Sequence, residues 1–349
     1  MNPVQASSKT TYTPHQTSFY STAIKNVAWL TAGAMIAGVG LILSTPLAIA
    51  SGLLVGTGGV VYQSSGSSRS SRSDQQIRDD NVQIFKETCD TISRGQYQSP
   101  SGRTVHLDAA RQTRMIGNTQ PYSSTSSLKC LNKNYHTKIT VENRTTLKMT
   151  EKLLQEGLNP LVLDMANRYI PGGGVLHGSS AQEETLCRQS NLYEALRNRA
   201  WWRFPFHELG GIYVPEVQFF RADPSENYAF LEKPVTAAVF ASAAYDTVHN
   251  KKYGGRDRPN DEKVYRENTK EKMRTMLRVA LCRGHDSVVL SAYGCGAFGN
   301  DPKLIASLYK DVFAEPEFNG QFKKIAFGIV NDHNSSVNYS TFRKAFHWF

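Results

Sequence analysis

Cysteine is scarce in this chain of 349 residues: there are five, Cys89, Cys130, Cys187, Cys282 and Cys295. The number is odd and no two stand as Cys-x-x-Cys, which excludes a regular disulfide framework and a zinc site of that spacing. A chain of this length buries enough core to fold without staples, so the thiols read as the reduced thiols of a cytosolic protein. Acidic residues are missing from the first 73 positions; Asp74 is the first. Lys9, Lys25, Arg69 and Arg72 are the only basic residues there, and taking these four from 40 leaves 36 basic against 30 acidic residues in 74–349. The net charge of +10 is therefore spread rather than focused. With no run of five basic residues and no zinc-finger spacing, the chain is not expected to bind nucleic acid specifically.

Charge of either sign is absent between Asn26 and Ser68. The preceding residues 1–26 are rich in Ser, Thr and Gln and read as a disordered leader. The charge-free window holds two apolar runs, 27–43 and 47–62, split by Ser44-Thr45-Pro46. Each run is near the lower length limit of a membrane-spanning helix, and Pro46 breaks the helix between them. Residues 27–62 are thus expected to form a hydrophobic helical hairpin, with small residues such as Gly33, Ala37, Gly52 and Gly56 at the contact. Lys25 before it and Arg69 and Arg72 after it would keep both ends on the cytosolic face. A buried helix pair, or a signal peptide ending at Ala48-Ile49-Ala50, are the alternatives. Residues 63–73 (SSGSSRSSRS at their centre) read as a flexible linker, and 74–349 as one globular domain.

In that domain strand and helix patterns alternate. Strand-like runs lie at 138–143, 161–165, 235–241, 287–292 and 324–330. Helical periodicity covers 146–155, 182–199, 263–283 and 303–313. The alternation predicts a layered α/β domain with a parallel or mixed sheet.

Two glycine-rich loops follow strands in this scheme. The first runs from Asn167 to Val175 and contains Gly172, Gly173 and Gly174. Glycine permits positive φ and close approach of a ligand to the backbone, and a strand, glycine loop and helix start together can cradle a phosphate. Gln182, Glu183 and Glu184 follow at the predicted helix start. Adjacent helical residues point about 100° apart, so the two carboxylates can serve different ends: one gripping ribose hydroxyls, the other reaching a scissile bond. A tight turn and a dipole-stabilising acidic pair are the plainer readings. The second loop, from Ala292 to Asp301, carries Gly294, Cys295, Gly296, Ala297, Phe298 and Asn300. Two such loops at strand carboxyl ends could bracket a diphosphate, with Phe298 as an aromatic wall or, alternatively, a core residue.

Three glycines, a seven-residue spacer and Gln182-Glu183-Glu184 resemble the signature of the microbial-type poly(ADP-ribose) glycohydrolases, a branch of the macrodomain superfamily. The likeness covers most of 78–345. It includes Asn81 to Thr88, Gly95 to Tyr97, Thr140 to Leu147, Leu186 to Tyr193, Tyr213 to Val217, Arg221, and the loops containing Gly294 to Phe298 and Asn300 to Pro302. The resemblance implies a three-layer α/β/α macrodomain with a mixed sheet and an ADP-ribose pocket. It implies that Glu184 is catalytic, that Glu183 and Asn167 hold the distal ribose, that the glycine loops hold the diphosphate, and that neither metal nor cofactor is used. The substrate-binding set then comprises Asp164, Asn167, Gly172, Gly173, Gly174, Val175, Gln182, Gly294, Cys295, Gly296, Ala297, Phe298 and Asn300.

Hydrolysis at the distal ribose passes through an oxocarbenium-like state, and Glu184 would protonate the leaving atom and then activate water. Glu183 and an apolar wall would raise its pKa. Asp164 stands where the family has Asn. A carboxylate there could hold a guanidinium by a bidentate contact, which points to mono-ADP-ribosylated protein, arginine-linked among the options; a backbone-capping Asp164 is the plainer reading. The expected partner is ADP-ribose or ADP-ribosylated protein, with a polymer hydrolase or a non-catalytic ADP-ribose-binding module as alternatives. The apolar hairpin adds an expected membrane, with the catalytic domain in the cytosol, and suits a secreted bacterial effector acting at a host membrane.

Overall fold

A computed structural model of the chain describes residues 73–125, 128, 133–198, 200–248, 258–331 and 336–347. The leader, the hairpin at 27–62 and all but the end of the linker lie outside them. Among the described residues no helix is long and apolar enough to cross a membrane.

Helix α1 (Asp74–Arg94) starts at a reciprocal cap: Ser73 accepts from the Gln76 N–H while the Gln76 side chain accepts from the Ser73 N–H. It ends on Gly95 in the left-handed region, where glycine is free of Cβ strain. A short hairpin, β1 (Gln96–Gln98) and β2 (Thr104–His106), and helix α2 (Ala109–Gly117) follow. The remaining elements are β3 (Gln120–Tyr122), β4 (Lys138–Glu142), α3 (Thr146–Gln155), β5 (Pro160–Met165), α4 (Gln182–Gln189), α5 (Leu192–Arg197), α6 (Ala200–Arg203), β6 (Gly211–Arg221), β7 (Phe230–Ser242), α7 (Glu262–Cys282), β8 (Ser287–Leu290), α8 (Pro302–Ala314), β9 (Lys324–Gly328) and α9 (Ser336–Ala345).

Seven strands form one mixed sheet in the order β3-β6-β7-β5-β8-β9-β4. β7, β5, β8, β9 and β4 are mutually parallel, whereas β6 runs antiparallel to both its neighbours, β7 and the edge strand β3. Along β5 the side chains alternate between faces. Leu161 and Leu163 pack with Phe240, Leu290 and residues of α7 and α8, while Val162 packs with Val239, Val289 and residues of α3, α4 and α5. This is the three-layer α/β/α arrangement with a mixed sheet. Because β5 and β8 are parallel neighbours, the loops after them emerge side by side at the carboxyl edge.

Three features differ from the sequence expectation. β6 contains Pro215, which cannot donate a ladder bond. The strand accommodates it by a register shift between Val214 and Val217, with Glu216 at φ +52°. The helical pattern at 182–199 is two helices. Ser190 is extended; its hydroxyl donates to Leu186 O and accepts from the Leu192 N–H, which ends one helix and starts the next. Cys282 is disulfide-bonded, against the expectation of reduced thiols throughout, whereas Cys89, Cys187 and Cys295 are free.

Candidate active site

The period of β5 turns Asp164 toward the face covered by α4, and both glutamates at the start of α4 are buried close to it. The glycine loop closes over these side chains. The Asn167 N–H donates to Glu183 Oε2 (2.7 Å) and the Gly174 N–H donates to Glu184 Oε1 (2.8 Å). Between them, a Cβ at Gly173 would lie 2.5 Å from Glu184 Oε1 and 2.8 Å from Glu183 Oε2, and its φ is +56°. Glycine is therefore required twice over at 173, for the conformation and for the approach. Gly172, also at positive φ, lies against the Tyr193 ring.

Three carboxyl groups are gathered here, and no cation is among the causes acting on Asp164 and Glu183. Burial, followed by the charge of Glu184, raises Asp164 well above its ordinary value. Burial and then Asp164 raise Glu183, while the N–H groups of Asn167 and Gly172 pull it the other way. The upward shifts resolved here fall on Asp164 and Glu183, so the cluster holds a proton near neutrality, and the expected wall around Glu184 is in part another acid. Glu183 Oε1, Glu184 Oε2 and both oxygens of Asp164 are buried with no protein partner.

Beside the carboxyl cluster lies a cleft of about 530 Å³, lined by Met165, Gln182, Thr185, Leu186 and Gln189 on one wall. Ser291, Ala292 and Gly296 line the second-loop side, and Gly328, Ile329 and Val330 the end of β9. Residues 182, 185, 186 and 189 share one face of α4; Glu183 and Glu184 occupy other directions. The cleft sits at the carboxyl ends of parallel strands, where ligands bind in open α/β sheets.

The expected site residues divide accordingly. Gln182 lines the cleft, but its amide also ties α4 to β5, accepting from the Met165 N–H and donating to Leu163 O, both at 2.7 Å. Asn167 uses its side-chain oxygen to accept from the N–H groups of Tyr169 and Ile170, shaping its own loop. Gly296 lines the cleft, and Ala297 is exposed and Phe298 half-buried on the same loop. Cys295 is half-exposed, with a thiol pushed up to about 12, first by burial and then by Asp301, which removes it as a nucleophile.

Three assignments are corrected. Val175 is fully buried in the apolar cluster under α4, so it holds the loop rather than a ligand. Asn300 is buried too. Its amide donates to Tyr245 O (2.7 Å) and Gly294 O (3.0 Å) and its oxygen accepts from the Tyr265 hydroxyl (2.5 Å), which makes it the tie of the second loop. Asp164 has no exposed surface, and neither of its oxygens has a protein partner, so it does not cap a neighbouring backbone group. The sequence reading missed a polar wall. Asp223 accepts from Gln189 (2.9 Å) and from the Thr145 hydroxyl (2.7 Å), and all three line the cleft. Their separation in sequence hides this wall: Thr145 caps the start of α3, Gln189 ends α4 and Asp223 follows β6. Among the described residues no three His, Cys, Asp or Glu side chains are arranged to hold a metal ion.

Two outcomes follow from this geometry. Gly173→Ala displaces both carboxylates, and misplacement by about 1 Å can reduce a rate some 10²-fold. Turnover should therefore fall about 100-fold or more, while the melting temperature drops by only a few degrees; turnover within fivefold of wild type would contradict the close approach. For Asp164 the folded pKa lies above the unfolded one. The buried acid imposes no penalty below the unfolded value of about 4, and stability declines as pH rises from there toward the folded pKa. Asp164→Asn should match wild type in melting temperature near pH 4 and exceed it by about 3 °C or more at pH 7–8. Parallel melting curves across that range would show that no proton is retained.

Residues 85–222 match the family model "Microbial-type PARG, catalytic domain", PARG being poly(ADP-ribose) glycohydrolase. The fold is similar to that of the poly(ADP-ribose) glycohydrolase of Thermomonospora curvata, alone and bound to the inhibitor ADP-HPD. In both cases identity is 28%, TM-score 0.66, and the match covers 77% of this chain and 100% of the other. The Deinococcus radiodurans enzyme in complex with ADP-ribose aligns at 25% identity and TM-score 0.58, covering 70% of this chain and 99% of that one. No curated protein sequence matches. Residues 85–222 are thus similar to the catalytic domain of microbial-type PARG, and the enzyme class these likenesses support is that of a glycoside hydrolase.

Proposed function

We propose that this protein hydrolyses the glycosidic bond at the distal ribose of ADP-ribose polymers. One observation carries the reading: Glu183 and Glu184 are each held by a backbone N–H of the glycine loop, beside a cleft at the carboxyl edge of the sheet. An acid used twice, once to give and once to take a proton, must be fixed relative to the anomeric carbon, and these bonds fix it.

In the proposed reaction the ADP-ribose unit lies in the cleft with its distal ribose against the glycine loop. Glu184 gives its proton to the leaving oxygen as the bond to the anomeric carbon breaks, with positive charge developing on the ring. The carboxylate so formed takes a proton from water as the water oxygen bonds to that carbon. The proton inventory of Glu184 is restored, and the products are a free hydroxyl on the leaving unit and ADP-ribose. Glu183 holds the ribose hydroxyls. Burial, with the charge of Glu184 on Asp164 and that of Asp164 on Glu183, raises both neighbours, so the cluster holds a proton for Glu184 to give.

A second substrate class is mono-ADP-ribosylated protein, since the bond attacked is at the same carbon. The special case of an arginine linkage loses its structural motive with Asp164 buried. A binding module without hydrolysis needs no retained proton, and the three clustered carboxyls favour the enzyme over it. The uncharged residues between Asn26 and Ser68 support a tether that holds the catalytic domain at the cytosolic face of a membrane.

Purified protein incubated with poly- and mono-ADP-ribosylated substrates should release free ADP-ribose, fastest from the polymer. Glu184→Gln should reduce this by about 10³-fold or more with ADP-ribose affinity within threefold; retained hydrolysis by that variant would remove Glu184 from the acid's role. Deletion of residues 1–73 should leave hydrolysis in solution intact and abolish co-sedimentation with lipid vesicles, and unchanged sedimentation would defeat the tether.

A further inference from the structure

Helix α4 carries both glutamates, yet it begins without the usual support. Its cap position is Ala181, which offers no side-chain acceptor. The two first-turn carboxylates, which might otherwise cap it, are turned to the glycine loop instead. The connection from Gly174 to Ala181 turns on its own bonds as far as Ser179, with Gly174 O accepting from the His177 and Ser179 N–H groups, and is held beyond that from outside. Helix α1 is the element packed there. Asn81, only 6% exposed, spends both hydrogens of its amide on this connection, donating to Gly178 O at 3.0 Å and to Ser180 Oγ at 3.1 Å. One turn earlier, the carbonyl of Arg78 lies so close that a Cβ on Gly178 would stand 2.2 Å from it. Further along α1, the Thr88 hydroxyl donates to Arg188 O near the end of α4 (2.8 Å). Phe85 meets Tyr193 edge-on, and Tyr193 is the ring beneath Gly172.

We infer that Asn81 is a positioning residue for the hydrolysis: α1 acts as a splint across both ends of the catalytic helix, and the Asn81 amide sets the path of the chain between the glycine loop and Glu184. The inference rests on the proposed reaction and concerns a residue outside the segment matched to the catalytic-domain model. Asn81 has no hydrogen bond to the carboxylates and does not line the cleft, whose rim it meets only through Ser180. Its effect must therefore fall on turnover more than on binding, because a loosened connection spoils alignment while the cleft walls stay in place.

The full-length protein is tested on ADP-ribose polymer well below its melting temperature. Asn81→Ala should lower kcat about 10- to 100-fold with KM within threefold, and should speed amide exchange across 175–181 at least tenfold while leaving 144–147 unchanged. Asn81→Asp keeps the volume but at high pH donates nothing. Its kcat relative to wild type should be low at pH 8 and recover as the pH falls and the new carboxyl gains a hydrogen. Should Asn81→Ala fail to fold, Ser180→Ala removes one of the two bonds from the exposed side and should lower kcat about threefold or more. The inference is overturned if these variants keep kcat within twofold of wild type, or lose stability without faster exchange at 175–181. Absence of hydrolysis by the wild-type protein would instead defeat the proposed function and is read separately.

Discussion

Everything at the carboxyl edge of this sheet depends on two glutamates being buried against backbone N–H groups with, among the described residues, no salt bridge to either. Withdrawing a carboxylate from water carries a penalty that falls when it accepts good hydrogen bonds or keeps its proton. Here both forms of relief are partial. Glu183 and Glu184 each receive an N–H bond from the glycine loop, and one oxygen of each is left without a protein partner. Asp164 has no partner on either oxygen. A fully satisfied site would have nothing left to offer a sugar hydroxyl or a leaving oxygen. The unsatisfied oxygens are the reactive capacity of the site, and the surrounding core must be stable enough to hold them.

That requirement explains why the supporting residues matter as much as the acids. The glycine loop can approach the carboxylates only because position 173 has no Cβ. It keeps its shape because Asn167 forms a turn over its own next residues, because Val175 is sunk into the core, and because Gly178 lets α1 come within backbone contact. The second loop uses the same device with a different residue. Gly294 has φ +72°, and Asn300 gathers the carbonyls around it. In both loops glycine supplies the path and an asparagine fixes it.

Much of this was legible in the sequence, for identifiable reasons. The parallel strands are buried on both faces and read as continuous apolar runs, so β5, β8 and β9 were found close to their observed bounds. The glycine triplet and the acidic pair were found because their spacing is unusual and both fall at strand and helix ends. β6 escaped because Pro215 argues against a strand, and only the bulge at Glu216 reconciles the two. Asn300 and Asp164 were assigned to the ligand because a sequence states that a side chain is polar and near a loop, not whether it faces a cleft or a neighbouring carbonyl. That distinction needs the burial and the partners. The Thr145, Gln189 and Asp223 wall was invisible for a related reason, since its three members meet only when α3, α4 and the end of β6 converge.

The division of labour on α4 has a geometric origin. A helix turns about 100° per residue, so residues three and four apart build one wall while intervening residues point elsewhere. Gln182, Thr185, Leu186 and Gln189 line the cleft. Glu183 and Glu184 fall between them and are turned toward the glycine loop and Asp164. In the proposed reaction binding and chemistry thereby fall on different faces of eight residues, and the substrate spans the edge between those faces. A substitution on the binding face can then alter which molecule is held without touching the acids. One on the acid face can abolish turnover while the cleft stays filled. The same short helix serves both ends only because β5 and α1 hold it from opposite sides, through Gln182 to the strand and through Thr88 to the Arg188 carbonyl.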